Sequence, residues 1–180
     1  MIFVTIGGKS TYGFLRLVKK MDEIAPELHE EVIMQIGDTR YVPQNVSYFT
    51  YVTFEESIRL FSEAKLVVSH CSTGTILNAK KYRVDRPTIV IPSRKMFDEI
   101  VDDHQMELAS VIEKKIGHMP IFVVYDTDLI KDRIVELLSS DYVRATSREE
   151  SFPPVLNYLK EYINGLQQDR SRREGIKTAD

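Results

Sequence analysis

Short apolar, β-branched runs alternate along the chain with segments in which apolar residues recur at helical spacing. The runs at 2–6, 32–36, 46–52, 66–69, 88–91 and 121–125 read as strands. Between the first two, Phe14, Leu17, Val18, Met21, Ile24 and Ala25 trace one face of a helix that Pro26 ends. Thr53 and Glu56 form a capping box ahead of Ile58, Phe61 and Ala64. A third helix is predicted over 75–82. A fourth starts near Asp103, carries Met106, Ala109, Ile112 and Ile116, and stops at Gly117. A fifth covers 128–138 with Thr127 as its cap. The stretch 37–44, which contains Pro43, has no helical period and reads as an irregular loop.

This alternation predicts an α/β fold: one Rossmann-like domain over 1–147, its six-stranded, mainly parallel sheet covered by helices on both faces. Right-handed crossovers then favour the strand order 3-2-1-4-5-6. After Ser147 the pattern changes. Val155, Leu159, Tyr162, Ile163 and Leu166 make one helical stripe within 148–166, suited to packing on the domain's own sheet or on a partner. Residues 167–180 are polar, include Arg170, Arg172, Arg173 and Lys177, and read as a flexible tail.

Composition narrows the class without indicating a chemistry. The 180 residues, 43% hydrophobic and 28% charged, suffice for one compact domain with a sizeable core. A net charge of −3 and the lack of basic-aromatic interleaving argue against nucleic acid as a partner. No apolar run approaches the roughly 18 residues that span a bilayer, and the N-terminus lacks a signal-peptide layout, so a cytoplasmic protein is expected. A single cysteine, Cys71, excludes an internal disulfide and leaves too few thiols for a cysteine-rich zinc site.

In an open parallel sheet, ligands collect beyond the C-terminal strand ends where the strand order reverses, here between the first and fourth strands. The apolar pattern breaks at both places. Gly7, Gly8, Lys9, Ser10 and Thr11 follow the first strand; His70, Cys71, Ser72, Thr73, Gly74 and Thr75 follow the fourth. Two small, hydroxyl-rich turns leading into helices offer backbone N–H groups and positive helix ends to phosphate.

Two look-alikes fail on spacing. A Walker A loop needs a glycine five positions before Gly8, where Phe3 stands inside the strand. A cysteine phosphatase loop needs an arginine six positions after Cys71, where Leu77 stands. The Gly-x-Gly-x-x-Gly turn of hydride-transferring enzymes is also missing after the first strand.

A third region lies after the fifth strand, at Pro92-Ser93-Arg94 and the run DEIVDDHQMELA at 98–109. His104 and Gln105 fall in the first turn of a helix beside the fourth-strand loop, where an imidazole and an amide can bond sugar hydroxyls. Alternatively, His104 is a helix-start residue bonded to Asp102 or Asp103. Those adjacent acids suit helix capping better than a metal, for which no second ligand cluster is present.

The ordered set IFVTIGG, SHCSTGTILNA, RPTIVIPS and DDHQMELA resembles the C-terminal domain of glycosyltransferase family 28 over about 1–138. The likeness is closest to free-standing, half-length members. These include the donor-binding subunit of the two-part N-acetylglucosaminyltransferase acting on dolichol-linked intermediates, and subunits of bacterial exopolysaccharide and capsule synthesis. The resemblance implies half of a GT-B enzyme, with a UDP-sugar as donor substrate and no cofactor or metal. Gly7, Gly8, Lys9, Ser72, Thr73, Gly74 and Thr75 would hold the diphosphate. Tyr51, Val52 and Asn78 would meet the nucleoside, and Arg94, Asp103, His104 and Gln105 the sugar. Where relatives often carry a ribose-binding glutamate, this chain has Asn78, which loses the charge-assisted part of that contact.

The resemblance further implies inverting transfer of a hexose such as N-acetylglucosamine. A membrane-associated partner subunit would bring the polyprenyl-linked acceptor, supply the general base and recruit this chain to the membrane face. No catalytic residue is then expected here, and little turnover by this chain alone. A non-catalytic nucleotide-sugar-binding or scaffold protein is the alternative from another class. A sugar-nucleotide epimerase or hydrolase would need a second facing domain.

Overall fold

The computed structural model describes residues 1–8, 12–115 and 119–139. The chain divides into two compact units, Met1–Thr146 and Ser147–Asp180, and every described residue belongs to the first. Lys9, Gly117, the 148–166 stripe and the 167–180 tail lie outside the described residues.

The elements run β1 (Ile2–Thr5), α1 (Leu15–Ile24), β2 (Val32–Gln35), β3 (Ser47–Phe49), α2 (Phe54–Glu63), β4 (Leu66–His70), α3 (Thr73–Tyr82), β5 (Thr88–Ile91), α4 (His104–Lys115), β6 (Ile121–Val123) and α5 (Ile130–Ser139). All six strands are parallel, in the order β3-β2-β1-β4-β5-β6. That is the order read from crossover handedness, with the sheet parallel throughout rather than mainly so.

Strand alternation sends side chains to two cores. Ile2, Val4, Met34, Val68 and Ile89 pack with Leu17, Val18 and Met21 of α1 and Ile130 and Ile134 of α5. Phe3, Val67 and Val90 point the other way and are equally buried, as are Leu60 and Phe61 of α2, Ile76 and Ala79 of α3 and Ile112 of α4. This double burial explains why the strands read as continuous apolar runs.

The element ends differ from the sequence reading for local reasons. β3 stops at Phe49, so Tyr51 and Val52 follow the strand instead of closing it. It is one of the two edge strands, with Ser47 and Tyr48 exposed, and short edges limit unwanted pairing. Ser72, whose hydroxyl accepts from the Thr75 N–H, caps α3 so that it starts at Thr73. Asp126, not Thr127, is the cap before α5: its carboxylate accepts from the Asp128 N–H, and Thr127 is buried within a 3-10 turn. The 37–44 loop is irregular, as expected, and is fastened by the buried Asp22. Burial pushes that carboxyl up, but the Gln44 and Asn45 amides and the Tyr41 hydroxyl outweigh it and hold the group below its ordinary value.

Candidate functional site

The turn after β1 is built around a tight approach. Gly7 has φ +86°, and a Cβ there would lie 2.6 Å from Cε1 of His70. Only glycine fits both the backbone and the space. Its N–H is already taken by Thr5 Oγ1 at 3.1 Å, and its carbonyl accepts from Gln35 Nε2 at 3.2 Å. Gly7 therefore shapes the turn and does not offer the free N–H that the sequence suggests. Gly8 is exposed, a Cβ on it would meet nothing within 4 Å, and it lines a cleft of about 260 Å³.

After β4 a chain of hydroxyls fixes the second turn. Ser69 Oγ donates to the Thr5 carbonyl at 2.8 Å, which spends its one proton. Ser69 must then accept from Thr75 Oγ1 at 3.1 Å, and Thr75 in turn from Ser72 Oγ at 3.1 Å. Ser72 Oγ completes the chain by accepting the Thr75 N–H. The cap takes the Thr75 amide and the Ile76 amide bonds the Ser72 carbonyl. This leaves the Thr73 and Gly74 N–H groups as the open donors at the α3 N-terminus.

The same proton count assigns His70. Its Nδ1 lies 3.3 Å from the committed Ser69 Oγ, so Nδ1 is the donor and Nε2 a bare acceptor at the cleft wall. Burial pushes the imidazole down to about 4, with His104 adding to the effect, so His70 is neutral at pH 7. Cys71 is buried, and burial pushes its thiol up to about 12. That removes the thiolate a phosphatase would require.

Behind β5, three consecutive N–H groups are caught by side chains further along the chain. The Ser93 N–H bonds Gln105 Oε1 at 2.9 Å, Arg94 N–H bonds Glu99 Oε2 at 3.0 Å, and Lys95 N–H bonds Asp103 Oδ1 at 2.9 Å. Arg16 reaches across from α1 and grips Glu99 with Nε at 3.0 Å and a terminal nitrogen at 2.9 Å. Asp103 and Gln105, read from the sequence as facing sugar, thus also hold the loop in shape. His104 bonds Asp102 through Nδ1, the alternative that the sequence left open.

Gly8, His70, Ser93, Glu99 and Gln105 share the cleft, which opens at the C-terminal ends of β1, β4 and β5. Of the predicted site residues, Gly8 and Gln105 line it, Gly7 lies against His70, and Ser72–Thr75 follow His70 after the buried Cys71. Tyr51 follows the β3 end, and its hydroxyl donates to Asp38. Val52 follows Tyr51, and Asn78 sits one turn into α3. Sequence reasoning did not single out His70, Tyr12, Ser93 or Glu99 as site residues. His70 was within reach, since the register Thr5↔Ser69 makes the next residues neighbours. Glu99 was not: its partner Arg16 is 83 positions away. Among the described residues no group of three His, Cys, Asp or Glu could hold a metal, and no helix is long and apolar enough to cross a membrane.

The family model of the glycosyltransferase family 28 C-terminal domain matches residues 1–138. Among solved structures, the fold is similar to the glycosyltransferase SnogD from Streptomyces nogalater, at TM-score 0.55 and 18% identity, covering 79% of this chain and 36% of that one. It is also similar to MurG of Acinetobacter baumannii, at TM-score 0.52 and 17% identity, covering 76% of this chain and 41% of that one. A third, the glycosyltransferase VinC in complex with dTDP, has TM-score 0.50 and 17% identity, with 80% and 34% covered. The chain thus spans well under half the length of these enzymes. No curated protein matches the chain.

Proposed function

The chain belongs to glycosyltransferase family 28 through that family's C-terminal domain, and on this premise we propose that it is the donor-binding half of a two-component inverting glycosyltransferase. The observation that carries this reading is the cleft at the reversal of strand order, bounded by Gly8 and His70 and flanked by the open N–H groups of Thr73 and Gly74. Those donors and the α3 dipole would stabilise charge growing on a leaving diphosphate. A nucleoside diphosphate is in keeping with VinC, whose structure holds dTDP; UDP is the form tested first.

In this reading Gly8, Lys9 and Ser72–Thr75 meet the diphosphate, Tyr51, Val52 and Asn78 the nucleoside, and Arg94, Asp103, His104 and Gln105 the sugar side. His70 contributes an acceptor, not a charge. A membrane-associated partner supplies the acceptor site, the polyprenyl-linked acceptor and the general base, and holds this chain at the cytoplasmic membrane face.

UDP should raise the melting temperature of the chain, and Gly74→Asp should abolish that protection. A carboxylate at the second position of α3 suits the helix dipole while repelling diphosphate, so fold and binding are expected to part company. Sugar transfer to a lipid acceptor by the pure chain alone would overturn the two-component version. Asn78 favours a second reading, a non-catalytic binding protein; it gains ground if no UDP- or dTDP-sugar shifts the melting temperature with or without a partner.

A further inference from the structure

The cleft has two walls that come from distant stretches of the chain. One is the turn into α1, with Gly8, Tyr12 and Phe14; the other is the loop after β5, with Ser93 and Glu99. Each wall is fastened on its own side: the Phe14 N–H bonds Thr39 Oγ1 at 2.9 Å, and the Ser93 N–H bonds Gln105 Oε1. Arg16, in the first turn of α1, ties one wall to the other. Its Nε and one terminal nitrogen grip the two oxygens of Glu99, and that terminal nitrogen also donates to the Pro92 carbonyl at 3.1 Å. The other terminal nitrogen donates to the Tyr125 carbonyl, just past β6, at 3.3 Å. The guanidinium lies 5.3 Å from the Phe14 ring centre and 4.8 Å from that of Phe97, so an aromatic from each wall packs on it.

A guanidinium fork fixes the plane and direction of the carboxylate it holds. Glu99, its side chain 3% exposed, passes that direction to the backbone, because Oε2 also accepts from the Arg94 N–H at 3.0 Å. Arg16 itself does not line the cleft. Buried ion pairs add little net stability, since desolvation offsets the attraction. A pair in this place contributes more by setting where the loop stands than by holding the fold together.

Resting on the donor-binding reading, we propose that Arg16 is a positioning residue: through Glu99 it holds the β5 loop at a set distance from the β1 turn, so that the cleft is formed before the donor arrives. Calorimetric titration of the full chain with UDP and with UDP-N-acetylglucosamine tests this in wild type, Arg16→Met and Arg16→Lys. UDP meets the turns after β1 and β4, which are fastened without Arg16, and should bind within about threefold in all three proteins. The sugar nucleotide extends to the β5 loop and should bind Arg16→Met about tenfold more weakly, because the loop must then be ordered on binding. Arg16→Lys keeps the charge beside Glu99 but not the fork. It should melt within about 2 °C of wild type and still lose several-fold in sugar-nucleotide affinity, a separation that a purely structural pair would not produce. Hydrogen exchange at the Arg94 amide should quicken about tenfold in both variants while the amides of β1 and β4 keep their protection. Sugar-nucleotide affinity within twofold of wild type in both variants overturns the proposal, and so does an equal loss for the two ligands. If Arg16→Met does not fold, Arg16→Lys decides alone. A wild-type chain that binds neither ligand overturns the donor-binding reading as well, whereas one that binds UDP but not the sugar nucleotide overturns this proposal only.

Discussion

Two arginines at opposite ends of the sheet have opposite fates. At the N-terminal strand ends Arg83 is fully buried, and each of its five N–H donors has an acceptor. Nε bonds Thr88 Oγ1, one terminal nitrogen the Phe61 and Ala64 carbonyls, and the other those of Lys65 and Pro87. Burial pushes the guanidinium down to about 10, still charged at neutral pH, and the C-terminal carbonyls of α2 complement that charge. At the C-terminal strand ends Arg94 has a fixed backbone and an unbonded side chain. The fold closes one end of the sheet with its own polar groups and leaves donors and acceptors unspent at the other. A ligand can gain most where the protein has not already satisfied itself.

Breaking the closed end should cost the most. Arg83→Met removes the donor from five acceptors, of which the Pro87 carbonyl keeps the Val67 N–H, and removing one side of a buried charged network costs about 3–5 kcal/mol. Urea denaturation should show that loss, while UDP affinity of the molecules that remain folded stays within twofold. A change below about 1 kcal/mol would mean that Arg83 is not the staple it resembles.

The two glycines after β1 sharpen the contrast within the open end. Gly7→Ala meets positive φ and the His70 ring together, so a loss of about 2–3 kcal/mol is expected from backbone strain and overpacking. Gly8→Ala points into open space and should change stability by less than about 0.5 kcal/mol, yet weaken UDP binding because the methyl enters the cleft. Equal stability losses in the two variants would show that both glycines serve the turn.

These pairs also show what the sequence could and could not disclose. Strand order, the reversal point and the two turns were readable, because hydrophobic period and crossover handedness are local or universal rules. The division of labour within Gly7-Gly8 was not, since it depends on a histidine that the sheet brings over from β4. Asp103 and Gln105 read as ligand contacts from their motif, yet they bond the amides of Lys95 and Ser93 across a loop with no periodic signal. Arg83 and Arg94 look alike in one dimension. Only the positions of backbone carbonyls, a property of the folded state, tell the staple from the open hand.

His70 supplies the smallest of these effects and the most direct view of the open end. Its imidazole titrates at about 4 in the fold against 6.5 when unfolded. Between those values the unfolded chain binds a proton that the native chain refuses, so stability rises with pH across that window and falls as the solution is acidified. The ring keeps some exposed surface, and about 2 kcal/mol is a fair size for the loss between pH 7 and pH 4. Asp22 titrates in a lower range, its benefit being lost only as pH falls below 3.8, and it is common to both proteins in the comparison. His70→Asn should therefore be less stable than wild type at pH 7 through lost packing, with the gap closing by about 2 kcal/mol at pH 4. Parallel urea midpoints across the range would show that His70 is not held neutral. The assignment of its proton to Nδ1, and of a bare Nε2 acceptor to the cleft, would then fall together.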